Sequence, residues 1–448
     1  MVSRRVRRRR RQFATFGGLL VLVLVYLAAF SGGSPKSSTP PKPRHVSREF
    51  PAHSPLNPDW LGDGKPVTLA FGGDVHFEGV VGERLSKDPA TALGDTVGAL
   101  LAGAQLRMVN LESALTGGTC PQPQPKPYIF YAPPTALTAL RDATVTVISL
   151  ANDHAVDCGQ VGLMQGLAAA RSVDFPLVGV GADAAQAFAP YRATIFGQRI
   201  AVIAATQIIA ANLTSTWTAT SGNAGVASAL NPTQLVQAVQ AARRSSDTVV
   251  VYLHWGTETV ACPNPQQEPL TQQLVNAGAD VVVGTGAHVL LGGGYFGDAY
   301  VDYGLGNLAF YDDTAPETDS GVLLITVEGR RVLGSTFRPA TIVSGLPQPL
   351  TGTPAAAALQ SWNAARSCTD LSATPTASRA TVEGETASFV LPPTTTTTSS
   401  PVPGTTTSSP VPGTTATTPT APATTTTSPA ASTTTTSPEV TGPTDNAG

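Results

Sequence analysis

Runs of apolar, largely β-branched residues that each stop at a small polar island dominate the middle of this 448-residue chain. The islands are Gly73-Asp74-Val75-His76, Val109-Asn110-Leu111-Glu112, Asn152-Asp153-His154 and Leu253-His254-Trp255-Gly256, and a further histidine, His288, follows them. An α/β sheet builds ligand sites in this way, because parallel strands deliver polar residues from their carboxyl ends into one crevice. The chain has six histidines, and four of them fall in this set. Carboxylate, amide and imidazole groups concentrated so heavily point to a metal site rather than to scattered surface polarity.

The regions outside that pattern limit how much of the chain can pack. Residues 1–12 form a basic segment with seven arginines, Arg4, Arg5 and Arg7 to Arg11. Residues 13–30 follow without a charge; as a helix they would span about 27 Å, close to the hydrocarbon thickness of a bilayer. The basic flank would stay cytoplasmic, leaving everything after Phe30 outside. The expectation is a membrane-spanning signal anchor with an extracellular body. The alternative is a secreted protein whose signal peptide is cut near the small residues Ala29 and Ser31. Residues 31–65, rich in Pro, Ser and Lys, read as an extracellular linker. Residues 391–448 are dominated by Thr, Pro and Ser and repeat SSPVPGTT at 399–406 and 408–415, as a disordered tail would. One domain remains, at 66–390.

The formal net charge of -3 conceals an asymmetry: without the seven arginines, 20 basic residues face 30 acidic ones. That balance argues against nucleic acid as a partner of the body. Four cysteines, Cys120, Cys158, Cys262 and Cys368, suit an exported domain with two disulfides, and three pairings stay open. Cys158 lies close to the third island, so a free thiol there is a second option.

Between the termini, strand and helix patterns alternate. Strands are expected at 67–71, 106–109, 145–150, 248–253 and 280–283, and helices at 91–102, 134–141, 160–172, 232–244 and 268–277. Residues 191–196 and 199–205 should form a hairpin through Gly197-Gln198, and 322–327 should pair with 332–337 through Glu328-Gly329-Arg330. The repeated β–α–β order implies an α/β fold with a mainly parallel or mixed sheet covered by helices.

Each island offers specific chemistry. Asp74 and His76 are two residues apart, a spacing that lets both face one ion in extended chain. Carboxylate plus imidazole suits Mn, Zn or Fe better than Ca or Mg. Asn110 and Glu112 share that spacing. Glu112 among other carboxylates is tolerable only with a compensating positive charge. Asn152, Asp153 and His154 at a strand end suit ligation and acid–base work. Gly256 lets the chain turn away after presenting His254. His288 follows Gly284-Thr285-Gly286-Ala287, where small residues permit close backbone approach to an ion or phosphate. Gly292-Gly293-Gly294 suggests a flexible loop nearby. Taken singly, each island could be an ordinary turn or cap; together and in this order they are not.

In that order, GGDVH, VNLES, SLANDH, LHWG, NAGADVVVG-x3-H and YGLGNLAFY, the chain resembles the CapA family of poly-γ-glutamate capsule synthesis proteins over residues 67–345. The resemblance implies a calcineurin-like metallophosphoesterase fold, a two-sheet α/β/β/α sandwich holding one or two divalent metal ions. It implies metal ligation by Asp74, His76, Glu112, Asp153, His254 and His288, with Asn110 and Asn152 as accessory groups and His154 as the catalytic acid or phosphate contact. This chain departs from the pattern twice. Asp153 stands where an asparagine is usual, and Gly286 stands where a further ligand histidine would. The implied function is a membrane-anchored, exported, metal-dependent hydrolase-like protein of capsule or envelope polymer synthesis. Its partners would be the polymer or its synthesis and export machinery. The alternative is a catalytically impaired surface scaffold or polymer-binding protein.

Overall fold

The computed structural model describes residues 65–311 and 314–376. The expected basic segment 1–12, membrane span 13–30, all but the last residue of the linker 31–65, and the tail 391–448 lie outside the described residues. Among the described residues, no helix is long and apolar enough to cross a membrane.

The strands of the two large sheets are, in chain order, β1 (Val67–Val75), β2 (Leu106–Leu111), β3 (Val147–Ser149), β4 (Leu177–Val178), β5 (Tyr191–Ile195), β6 (Gln198–Thr206), β7 (Thr248–His254), β8 (Val281–Thr285), β9 (Gly293–Phe296), β10 (Ala299–Asp302), β11 (Asn307–Ala309), β12 (Asp319–Glu328), β13 (Arg331–Val343) and β14 (Leu346–Pro349). The first sheet runs β14-β13-β12-β1-β2-β3-β4, with β11 pairing the end of β1; the second runs β9-β10-β8-β7-β6-β5. In the first, β1, β2, β3 and β4 are mutually parallel while β12, β13 and β14 run antiparallel. In the second, β6, β7, β8 and β10 are parallel, and the edges β5 and β9 are antiparallel.

The two-residue period of a strand decides what each sheet face meets. Along β7, Val250 and Tyr252 point into a core shared with Leu69 and Phe71 of β1 and Met108 of β2. Their neighbours Val249, Val251 and Leu253 point the other way, against the helices Thr233–Arg243 and Gln267–Ala277. On the far side, Ala70, Val109 and Ile148 face helices that include Gly79–Lys87, Gly94–Leu101 and Gly159–Ser172. Apolar surface therefore fills three layers, and the architecture is the expected two-sheet α/β/β/α sandwich. The Tyr252 hydroxyl donates to the Gly72 carbonyl at 2.7 Å, tying β7 to β1 across the sandwich.

Several local expectations need correction. The helix foreseen at 91–102 begins only at Gly94, after a short 3-10 turn at Pro89–Thr91, because Gly94 adopts φ +63°. The hairpin turn falls on Phe196-Gly197, which carry φ +48° and +72°, and Gln198 is already in β6, where it accepts from the Gly329 amide. Gly292-Gly293-Gly294 is no flexible loop. Gly293 and Gly294 open the buried strand β9, and a Cβ on any of the three would lie 2.5–2.6 Å from Arg366, Asp302 or Ser372. Among the described residues, four α-helices went unforeseen: Gly79–Lys87, Gly352–Ala365 and the one-turn helices Ala184–Ala187 and Thr214–Trp217.

All four cysteines are paired, as Cys120–Cys158 and Cys262–Cys368, so Cys158 is not a free thiol. Each bridge fastens a loop beside the carboxyl ends of the strands. One holds residues 116–130 to the turn after His154, and the other holds residues 256–266 after His254 to the segment following the last helix.

Candidate metal centre

The polar islands converge because every strand that carries one ends on the same side. Asp74 closes β1 in register with Asn110 of β2 on one flank and Asn307 of β11 on the other. Asn152, Asp153 and His154 form the turn after β3; His254 ends β7. Gly73 permits the crowding at this point, since a Cβ there would lie 1.9 Å from the Gly306 carbonyl oxygen, which itself accepts from the Asp74 amide at 2.9 Å.

Asp74 is buried and held by neutral donors. Its Oδ1 accepts from Asn110 Nδ2 at 2.8 Å and its Oδ2 from the Gly286 amide at 3.1 Å. Asn110 in turn accepts from Asn152 Nδ2 at 2.9 Å, and Asn152 accepts from the His154 amide at 2.9 Å. The two accessory asparagines thus form one chain of hydrogen bonds that fixes the first and third islands together. His254 Nε2 lies 3.1 Å from Asp153 Oδ1, and its Nδ1 lies 3.3 Å from Thr285 Oγ1. His288 approaches Glu112 with Nε2 at 3.5 Å and Asp74 with Nδ1 at 3.8 Å, while Asn307 Oδ1 stands 2.9 Å from its Nδ1. His288 holds φ +59°, a left-handed conformation that costs a β-substituted residue about 1–2 kcal/mol.

Two sets of potential ligand atoms each lie within 4.8 Å of one another: Asp74, Glu112 and His254, and Glu112, Asp153 and His154. Glu112 belongs to both. It is buried, and among the described residues neither carboxylate oxygen has a hydrogen-bond partner. Burial first, then the charges of Asp74 and Asp153, push its carboxyl well above the usual carboxylate range. A buried carboxylate without partners is costly unless a cation meets it, so these residues fit a divalent ion. At Asp153 burial also opposes the charge. There His154, His254 and Lys126 outweigh it and hold the carboxyl below its ordinary range.

His288 belongs to neither set, and neither does His76. His76 Nε2 accepts from the Tyr311 amide at 3.2 Å, its Nδ1 has no partner, and its ring stacks on Phe310 with centroids 3.8 Å apart. Burial, helped by the imidazoles of His154 and His288, pushes its pKa down to about 3. Neutral His76 with Nε2 as acceptor must carry its proton on Nδ1.

His154 is 6% exposed and gripped from its Nδ1 side, where Asp157 Oδ2 lies at 2.6 Å and Lys126 Nζ at 3.3 Å. Its Nε2 faces Asp153 Oδ2 at 3.5 Å, and Phe130 stacks on the ring at 4.2 Å. Asp157, Lys126, Phe130 and Asn307 escaped the sequence reading. Asp157 is three residues past His154, the same side of a helical turn, and that spacing was the one signal available.

Gly286 is not a vacant ligand position. It sits at φ +100° with its amide on Asp74, and a Cβ there would come within 3.0 Å of the Trp255 backbone and 3.1 Å of the His254 ring. Only glycine adopts that conformation without strain.

The family model described as "Bacterial capsule synthesis protein PGA_cap" matches residues 68–312. The capsule biosynthesis protein CapA of Bacillus anthracis is 30% identical over 217 residues, which cover 48% of this chain and 52% of that protein. The PGA biosynthesis protein CapA of Bacillus subtilis is 29% identical over 191 residues, 42% of this chain and 48% of the relative. A probable polyglutamine synthesis accessory protein of Mycobacterium tuberculosis is 29% identical over 189 residues, 40% and 49% respectively. The chain spans about half the length of these curated relatives.

Proposed function

Because the chain belongs to the family of bacterial capsule synthesis proteins, PGA_cap, we propose that it acts in the synthesis of a capsule or envelope polymer of the poly-γ-glutamate type, as a metal-dependent hydrolase-like domain. In this reading residues 13–30 anchor it in the membrane, residues 66–390 are the exported domain, and the polymer or its synthesis and export machinery is the partner. The relatives' names support the polymer. The disulfides support an oxidising compartment.

The observation that carries the chemistry is Glu112, a buried carboxylate with no hydrogen-bond partner on either oxygen among the described residues, shared between two sets of ligand groups. Asp74, Glu112, Asp153, His254 and His288 would hold a divalent ion, with Mn, Fe or Zn suited to that mixture of oxygen and nitrogen donors. Such an ion, when bound, acidifies water and stabilises developing negative charge. The chain's own residues supply the rest. Asp157 fixes the His154 ring through Nδ1, so that Nε2 faces the ligand cluster and can hand a proton to a leaving group. Phe130, stacked on that ring, keeps water from one of its faces.

The test is the metal content of the full chain made in an oxidising compartment, together with hydrolysis of a chromogenic phosphodiester and of polyglutamate. Bound divalent metal, activity lost to a chelator, and loss of both on Glu112→Gln support the reading. A properly folded chain that binds no divalent metal sinks it. A second reading, a polymer-binding scaffold, draws on Asp74 and His76. Asp74 has both oxygens occupied by Asn110 and Gly286, and His76 is turned to the Tyr311 amide. Metal binding without turnover of either substrate would favour it.

A further inference from the structure

Resting on the metal-centre reading above, we infer that the centre takes one divalent ion per chain and that Lys126 supplies the second positive charge, as a built-in ammonium beside Asp153, His154 and Asp157. The inference follows from asking which carboxylates of the site already have a cation. A charge removed from water must be paired, and where it is paired a second cation gains less.

Asp153 and Asp157 have one. Lys126 Nζ lies 3.0 Å from Asp157 Oδ1 and 3.6 Å from Asp153 Oδ2, and it also donates to the Asp153 carbonyl. This lysine is not a wandering surface chain. Its side chain is 10% exposed, and its ammonium sits 5.3 Å from the centre of the Trp217 ring, an orientation that favours a cation. Its loop is held by the Cys120–Cys158 bridge, by the Gln124 amide on the Asp157 carbonyl at 2.9 Å, and by the Phe130 amide on Asp157 Oδ2 at 2.7 Å.

Asp74 and Glu112 have none. Among the described residues their only ion-pair neighbours are the imidazoles of His254 and His288, at 3.5–3.9 Å. The set formed by Asp74, Glu112 and His254 is therefore where an ion gains most. The other set also offers three groups, and it shares Glu112 with the first. One of these, His154, is already gripped by Asp157 and Lys126, and Gly286 adds no side chain. A fixed ammonium next to that set repels a second divalent ion.

The experiment uses the full chain with its disulfides intact, stripped with a chelator and titrated with Mn(II), reading bound metal per chain by elemental analysis and the paramagnetic spectrum of the complex. The expected result is one ion for the unaltered protein, with the spectrum of an isolated ion. Lys126→Met should take up a second ion, and Lys126→Arg should remain at one. Lys126→Gln keeps hydrogen-bonding capacity toward Asp153 and Asp157 while removing the charge, and serves if the methionine variant fails to fold. It too should bind two. Two ions of similar affinity on the unaltered chain overturn the inference and leave the metal-centre reading standing. A folded charge-free variant that stays at one removes Lys126 from the role. No ion at all overturns both readings.

Discussion

Asp302 gives the sharpest handle on stability, because it lies away from the ligand cluster. It ends β10, fully buried, with Oδ1 accepting from the Gly304 amide at 3.0 Å. Its carboxyl is buried beside the indole of Trp362, on the helix Gly352–Ala365. Burial raises its carboxyl to about 7 from the ordinary 3.8, against the opposing pull of Gly304 and Trp362. Between those values the folded chain holds a proton that the unfolded chain has released, so stability falls as pH rises through that window. At about 1.4 kcal/mol per pH unit the full effect is about 4 kcal/mol, of which about 2.5 kcal/mol falls between pH 5 and pH 8. Asp302→Asn keeps the shape and an acceptor for Gly304 but cannot ionise. Urea unfolding of both proteins at pH 5, 6, 7 and 8 isolates this residue from every other titrating group, because only the difference between them is read. The variant should gain on the wild type by about 2–3 kcal/mol across that range. A difference that stays flat with pH would show that Asp302 carries no such burden, and the reasoning from burial would be refuted.

Other outcomes follow from the geometry. Gly286→Ala should destabilise the fold by about 1–3 kcal/mol and weaken metal binding. Urea midpoints and metal content check this, and a neutral result would contradict the tight placement beside Trp255 and His254. Replacing both cysteines of a bridge by serine should cost about 4 kcal/mol for the 38-residue separation and about 5 kcal/mol for the 106-residue one, on the chain-entropy account. Denaturant titrations of the two double variants decide it, and the reverse ranking would count against that account. If the domain is hydrolytic, His154→Gln should lower kcat by about 10²–10⁴-fold while leaving bound metal within about twofold; equal loss of metal would recast His154 as a ligand.

The sandwich and the meeting of the islands were legible because both rest on periodicity. Continuous apolar runs such as 248–253 can be buried on both faces only between two layers, and a polar residue closing such a run must emerge at the sheet's carboxyl end. Lys126 was invisible for the opposite reason. It sits in the proline-rich stretch Pro121 to Pro127, which has no apolar period, and the bridge to Cys158 with the loop's hydrogen bonds to Asp157 brings it there. Asn307 escaped because its contact with His288 depends on β11 pairing with the end of β1, which no local pattern encodes. Gly286 was misread because a missing side chain looks like a lost ligand until the backbone shows its amide bound to Asp74.

That amide has an implication for how such a centre can change over generations. A side-chain donor disappears with a single codon change, whereas a peptide N–H survives every substitution except proline. The grip on Asp74 is therefore insulated from direct deletion and yields only to whatever shifts the main chain around it. Drift at this position would register first as a distorted loop and only afterwards as an altered affinity for the ion.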